Sequence, residues 1–410
     1  MSKNSNLAAH GGEPVRSDPM PPRALFGEEE KDAAISLFDE SIQSGAPFGY
    51  NGPQEEAFEQ EFADILGGGF ADGVNSGTSA VFVSLAALQL PRGSEVVIPP
   101  ITDPGGAMPV ALLNCIPVCA DCDPSSYNLG PEQLEAVVTP RTSAAVVAHI
   151  AGEPVEMDGV LDIAEKHDIR IVEDCAQGHG ATYGGQPVGT FGDIAAFSTM
   201  SGKHIASGAQ GGMVFTRDED LYWKAKRLAD RGKPFGLEDA GGNVAPSLNL
   251  NQNDLGAAIG RVQLQKLAEI VEKRRKIVSK IEDQIAELET VSIGWQPEKA
   301  KSSYWFLRIT LETEKLTVNK DEFVDALAAE GIPVNASYRH IPCEAPWYAD
   351  RQNRWCPWDF AKRNDLRTEL PNAIAVTNTN FNIAVHENYT EKEADDIAAA
   401  LAKVEKAFLN

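Results

Sequence analysis

The chain is short of cationic side chains, of cysteine and of long apolar runs. Lys and Arg number 36 against 60 Asp and Glu, a formal net charge of -24 over 410 residues. Such a surface repels a polyanion, so nucleic-acid binding is not expected, although a local basic pocket for a small anion is compatible with it. Six cysteines are too sparse for a disulfide scaffold. Cys115, Cys119 and Cys122 lie in an apolar, proline-containing run without a second ligand pair at matching distance. They read as small core hydrophobes rather than zinc ligands. No run reaches the roughly 18 apolar residues of a membrane span. The opening MSKNSNLAAHGGEPVRSDPMPPR lacks the apolar segment of a secretory leader, so a reduced, cytoplasmic setting is expected. No G-x-G-x-x-G follows an early strand, which disfavours a nicotinamide dehydrogenase.

What is present is an ordinary globular composition, 43% hydrophobic and 23% charged. The length is a soft indication of two or three domains. The first 30 residues, rich in Pro and Gly, read as an arm or loop. Helical spacing appears over 28–43 and 53–65, and GVNSGTSAVFVSLAAL (73–88) is a turn entering a helix. Strand-like runs stand at SEVVIPP (94–100), IPVCADC (116–122), SAAVVAHI (143–150), IRIVED (169–174), DIAAFS (193–198) and GGMVFT (211–216). MDGVLDIAEKHD (157–168) is helical by its period. Strands alternating with helices predict a mostly parallel sheet covered on both faces. Residues 255–289 keep helical spacing from Leu255 to Leu288, long enough to leave one domain and enter another. SYWFLRITL (303–311) reads as a strand, and 390–408 as a helix opened by a capping box of Thr390 and Glu393. The expected architecture is α/β: a large domain over 1–270, arm included, and a smaller α+β domain over 271–410.

A few short stretches can carry chemistry. Ser76-Gly77-Thr78-Ser79 precedes an apolar helical run. Free N–H groups at a helix start, joined by hydroxyls, make a phosphate cradle, and the same serine serves equally well as a plain N-cap. Ile171-Val172 runs into Glu173-Asp174, a strand ending in two carboxylates. Ligands of open parallel sheets bind beyond the carboxyl ends of strands. A carboxylate there can hold a heteroaromatic nitrogen protonated, or simply cap a turn. Gln177 and His179 follow in the same loop. FSTMSGKHIASG (197–208) places Ser198 ahead of Lys203 and surrounds the lysine with Gly202, Gly208, Gly211 and Gly212. Most lysines are solvated. One held against glycine backbone can lose hydration, drop in pKa and act as a Schiff-base nucleophile. In chain order these stretches are a phosphate cradle, a strand-end acid, a serine and a lysine, the set that pyridoxal phosphate requires.

Several blocks in this order resemble the DegT/StrS family of PLP-dependent sugar and cyclitol aminotransferases, over about residues 6–408. NLAAHGGEPVR is similar to the arm of members acting on cyclitols and related rings. GYNGPQEEAFEQEFA (49–63), VNSGTSAVFVSLAAL (74–88), the long stretch 146–198 and NLNQNDLGAAIGRVQLQKL (249–267) are similar to family blocks. The resemblance implies the PLP-dependent transferase fold type I, that of aspartate aminotransferase. It implies that Lys203 forms the Schiff base with pyridoxal 5'-phosphate, that Asp174 pairs with the pyridine nitrogen and that Gln177 lies near the ring hydroxyl. Gly77, Thr78 and Ser198, with Ser76 nearby, would hold the phosphate, and Asn249 would reach it from the second subunit of a homodimer with shared sites. His149 and His179 fall in blocks that line the site, and Tyr338, Arg339 and His340 are candidates for the substrate rim. The implied reaction moves an amino group from glutamate or glutamine to a keto-sugar, nucleotide-linked or free, or to a ketocyclitol. No metal is implied.

Three positions depart from the family pattern. Asp103 follows Thr102 where members usually place an aromatic residue that stacks on the pyridine ring, so Asp103 becomes a candidate for substrate hydroxyls. GAQGG (208–212) is one residue longer than usual, with Gln210 near the acidic place, and Asn251 replaces the usual arginine after Asn249. Two other readings stay open. Some relatives are sugar dehydratases with histidine in place of the lysine, and His204 directly follows Lys203. A catalytically silent PLP-fold sensor or regulatory protein is the other.

Overall fold

The computed structural model describes residues 6–336, 338, 340–350, 356, 358–363, 365–366 and 369–410, Trp358 by its backbone alone. Seven strands form the central sheet: β1 (Phe70–Val74), β2 (Glu95–Ile98), β3 (Ile116–Cys119), β4 (Thr142–Ala148), β5 (Arg170–Asp174), β6 (Ile194–Ser198) and β7 (Gly212–Thr216). Their order is β1-β7-β6-β5-β4-β2-β3. β6, β5, β4, β2 and β3 pair in parallel, in registers such as Glu173 with Ala195 and Val97 with Val118. β7 runs against both neighbours, Phe197 facing Met213 and Asp72 facing Val214. Its direction follows from its connection. Residues 199–211 join β6 to β7 without a helix, and a parallel neighbour needs a long crossover. β2, β3, β6 and β7 are buried at every position, as a sheet covered on both faces requires.

The longer helices of this part are α1 (Glu28–Ser44), α2 (Pro53–Ile65), α3 (Gly77–Ala87), α4 (Met157–His167), α5 (Glu219–Ala229) and α6 (Asp254–Ile285). β1, with its sequence FADGV, carries no strand signal. Its Asp72 enters the sheet because Lys226 of α5 meets it at 3.0 Å. α6 passes through two cores. Leu264, Leu267 and Ile270 pack with Phe58, Phe62 and Phe197, while Ile277, Ile281 and Ile285 pack with a second sheet. That sheet contains β8 (Val291–Ile293), β9 (Leu307–Leu311), β10 (Val334–Asn335) and β11 (Asn380–Ile383), ordered β8-β9-β11-β10 and antiparallel throughout. It shares its core with α7 (Lys320–Ala329) and α8 (Glu391–Phe408). The expected capping box opens α8, with Glu393 accepting from the Thr390 N–H at 2.8 Å.

Three placements differ from the sequence expectation. The N-terminal arm docks on the second core, not the first. Leu7 is buried there, and the N–H groups of Ala8 and Val15 donate to Glu330 at 2.9 and 3.0 Å. Arg16 pairs with Glu393 and Asp396. Farther on, Tyr348, Phe360, Leu370 and Val376 return the chain to the first core. The strand expected over 303–311 begins only at Leu307. Tyr304 takes a φ of 51°, which breaks the extended path, and the N–H groups of Ser303 and Trp305 bond back to Gly152 and Ala151. Cys115, Cys119 and Cys122 are buried in the first core. Among the described residues no helix is long and apolar enough to cross a membrane.

Candidate active site

β1, β2, β4, β5 and β6 run in one direction, so their carboxyl ends share one edge of the sheet. A cavity of about 210 Å³ opens there, where ligands of such sheets bind. Ser76, Gly77 and Thr78 follow β1 into it, and Thr102 and Asp103 follow β2. His149 leaves β4, Asp174 and Gln177 leave β5, and Ser198 ends β6, with Lys203 on the loop beyond.

The anion end is built by α3. Ser76 caps it, its Oγ accepting from the Ser79 N–H at 3.1 Å, and Ser79 Oγ donates to Asn75 Oδ1 at 2.6 Å. The N–H groups of Gly77 and Thr78 are left for a ligand at the positive end of the helix dipole. Ser198 lies against this turn. A Cβ on Gly77 would sit 2.6 Å from Ser198 Cβ, and one on Gly106 would sit 2.8 Å from Asp174 Oδ2. Only hydrogen fits at these two positions, which is why the backbone comes so close to the cavity.

At the other end, Asp174 Oδ1 accepts from the Ala176 N–H at 3.0 Å. Burial raises this carboxyl, opposed by the Ala176 N–H, Lys203 and His149. Its neighbour Glu173 is spent on structure. The N–H groups of Gly189, Phe191 and Gly192 each donate to it at 2.7 Å, and His149 Nε2 meets it at 3.1 Å. His149 Nδ1 accepts from the Val155 N–H at 3.1 Å, so the ring is held in one tautomer with Nε2–H donating to Glu173. His149, Glu173 and Cys175 bring potential metal-ligand atoms within 4.8 Å of one another, but the carboxylate and both ring nitrogens are already engaged.

Lys203 is 7% exposed. Among the described residues its Nζ has no hydrogen bond or ion pair. Burial lowers its pKa, with Asp174 and Asp103 opposing. Its backbone is clamped from a distance. Arg23 donates to the carbonyls of Lys203 and His204 at 2.6 and 2.7 Å. Glu387 then bridges Arg23 and the buried Arg274, at 2.8 Å to each. Nothing local in the sequence marks these three residues. His204 is fully buried, donates Nε2–H to the Ser303 carbonyl at 3.0 Å and does not line the cavity. Lys203 is therefore the residue presented to a ligand.

The donor set fits a phosphorylated pyridine aldehyde: a cradle with open N–H groups, a buried acid and an amine without a hydrogen bond or ion pair, all on one cavity. Residues 28–402 match the DegT/DnrJ/EryC1/StrS aminotransferase family. The chain belongs to this family. It is a PLP-dependent transaminase of the corresponding α/β fold, and pyridoxal 5'-phosphate is its cofactor. It is 31% identical to the GDP-perosamine synthase of Caulobacter vibrioides over 85% of this chain and 89% of that one. It is 30% identical to the L-glutamine:2-deoxy-scyllo-inosose aminotransferase of Streptomyces fradiae over 98% and 97%. The aminotransferase of Psychrobacter cryohalolentis superposes with a TM-score of 0.83 at 28% identity, over 93% of this chain and 98% of that one.

The remaining sequence candidates divide. In the aminotransferase cavity Gln177 is fixed by two bonds, accepting from the Ala151 N–H at 2.8 Å and donating to Tyr338 Oη at 2.7 Å. Tyr338 is thus a neighbour of the lining. Asp103 lines the cavity and caps its own turn through the Gly105 N–H at 3.0 Å. His340 is exposed, packs edge-on against Tyr338 and accepts from the Thr102 N–H through its carbonyl. His179 does not line the cavity. It lies behind Ser198, donating to that carbonyl at 2.8 Å, and burial lowers its pKa to about 4. Asn249 is exposed and outside this chain's cavity, with its Oδ1 accepting from Asn251. Arg339 lies outside the described residues. Gly105 and Gly106, unassigned from sequence, wall the cavity; the pair after Pro104 was the available signal.

Proposed function

We propose that this enzyme transfers an amino group from glutamine or glutamate to a keto-sugar, with or without a nucleotide, or to a ketocyclitol. One observation carries the chemistry: the unpaired amine of Lys203 and the carboxylate of Asp174 on a single cavity with an anion cradle. The acceptor class rests on the similarity to an enzyme named for GDP-perosamine and one named for an inosose. When bound, pyridoxal phosphate supplies an electron sink for the carbanion formed at the reacting carbon. The chain supplies the rest. The N–H groups of Gly77 and Thr78 and the hydroxyl of Ser198 would hold the phosphate. Asp174 would face the pyridine nitrogen, where a cation would offset the burial that raises its carboxyl. Lys203, its basicity lowered by burial, takes the proton from one carbon and delivers it to another as general base and acid. Asp103, with one oxygen uncommitted at the cavity wall, faces acceptor hydroxyls.

A second copy of the chain belongs to this reading. Leu248 is 61% exposed next to Asn249, and Ile42 on α1 is 77% exposed. Covering such apolar groups favours association, and a homodimer would bring Asn249 to the partner's phosphate cradle. We also read 1–270 and 271–410 as two domains, from the change of core along α6, with the arm at Leu7 crossing to the second core and Tyr348, Phe360, Leu370 and Val376 crossing to the first, and the setting as cytoplasmic.

The test mixes purified protein carrying pyridoxal phosphate with L-glutamine or L-glutamate and follows conversion of the cofactor to its amine form by absorbance. A panel of keto-sugars and ketocyclitols then reverses the change. Full-rate conversion by Lys203→Ala sinks the assignment. Bound cofactor that neither donor converts supports the silent regulatory reading instead. The dehydratase reading is disfavoured by the burial of His204 away from the cavity.

A further inference from the structure

We propose that Trp305 is a positioning residue for Lys203, its indole face receiving the ammonium whenever that amine is not covalently engaged. Lys203 Nζ stands 4.1 Å from the centroid of the Trp305 ring, well inside the reach of a cation–π contact. Tryptophan presents the strongest such face among side chains. The ring is fixed rather than drifting. Its Nε1–H donates to the Gly202 carbonyl at 2.8 Å, one residue before the lysine. Its backbone N–H donates to the Ala151 carbonyl at 2.8 Å, and Phe306 and Tyr338 pack against its side at 5.3 and 6.2 Å between centroids. Trp305 thus ties the chain just ahead of β9 to the loop after β6.

The choice of an aromatic face over a carboxylate has a physical reason. A buried ion pair would hold the proton on Lys203 tightly, and an amine that must release it as a base works against such a partner. The π face orients the cation with a weaker grip. Other charged or titratable groups near the amine come from separate elements: Asp174 at the end of β5, Asp103 after β2 and His179 behind Ser198. Arg23 and His204 act on the same loop, Arg23 through the Lys203 and His204 carbonyls. None of them contacts Nζ directly. The contact itself stands without the cofactor; its consequence for turnover rests on the aminotransferase reading.

The experiment uses full-length protein free of cofactor, so failure of the proposed acceptor chemistry does not obscure it. Each lysine is acetylated with trace acetic anhydride over a pH series, and Lys203 is quantified by mass spectrometry, with exposed Lys276 as the internal reference. Trp305→Leu should lower the Lys203 midpoint by about 0.5–1.5 pH units while Lys276 stays put. Trp305→Phe, which keeps a ring and loses the donor, should stay closer to the native midpoint than Trp305→Leu. An unchanged midpoint in Trp305→Leu, or an equal shift in both variants, overturns the proposal. The native protein gives an independent arm should either variant misfold. Indole fluorescence should show a titration step that Lys203→Met abolishes, and a step that survives Lys203→Met overturns the proposal too.

Discussion

Glu387 offers the sharpest test of how the lysine loop is held. Its two oxygens are divided between Arg23 and Arg274, at 2.8 Å each, and the Arg274 side chain is 2% exposed. In Glu387→Leu the Arg274 guanidinium keeps its bond to the Tyr304 carbonyl at 2.9 Å but stays buried without a counter-charge. Breaking a buried pair from one side costs about 3–5 kcal/mol. At about 2.1 cal/mol/K per residue over 410 residues, unfolding entropy is about 0.9 kcal/mol per degree, so Tm should fall by about 3–6 °C. Removing both partners, as in Arg274→Met with Glu387→Leu, takes the orphaned charge away and should recover at least about half of that loss. The pH dependence carries a second signature. Burial alone would raise the Glu387 carboxyl, yet Arg274 and Arg23 hold it below its ordinary value. A depressed acid contributes stability above its unfolded pKa and loses it as pH falls through the folded one, so the gap between native and Glu387→Leu should narrow toward acid pH. Scanning calorimetry and urea unfolding read both effects, and cofactor release should quicken because Arg23, which holds the Lys203 carbonyl, loses the carboxylate that anchors it. A loss under about 1 kcal/mol, or strict additivity in the double variant, refutes the clamp.

Three further outcomes are expected. Gly77→Ala drives a methyl to within 2.6 Å of Ser198 Cβ and should raise the Kd for pyridoxal phosphate by about tenfold or more in absorbance titrations, a cost of about 1.4 kcal/mol. Glu55, buried beside Glu59, is raised to about 8, first by desolvation. A raised acid contributes stability below its unfolded pKa and loses it as pH climbs through the folded one. Glu55→Gln should therefore gain on the native protein between pH 5 and pH 8.5, up to a ceiling of about 5 kcal/mol, in melts across that range. Tyr338→Phe removes the acceptor of Gln177 Nε2 and should cost about 1 kcal/mol in urea unfolding, with a looser cofactor spectrum.

Much of the site was readable in the chain because its parts are local. A cradle is one helix turn, so Ser76, Gly77 and Thr78 announce it together. A lysine among glycines lies on one loop, and the long amphipathic stretch of α6 and the capping box of α8 follow from spacing alone. The family resemblance joined these pieces into one cofactor site. β1 escaped because an aspartate and a glycine hide a strand whose acid is neutralised by Lys226, remote in sequence.

The rest depended on topology. Glu173 and Asp174 are adjacent on β5, and side chains of adjacent strand residues point to opposite faces. The fold sends one into a net of backbone N–H groups and the other to the cavity. Lys203 and His204 are likewise sorted by which side of the loop is packed. Trp305 over the lysine, and the Arg23–Glu387–Arg274 clamp beneath it, join residues far apart in the chain. Sequence spacing carries short-range geometry; contacts across such separations exist only after the sheet and both cores have closed.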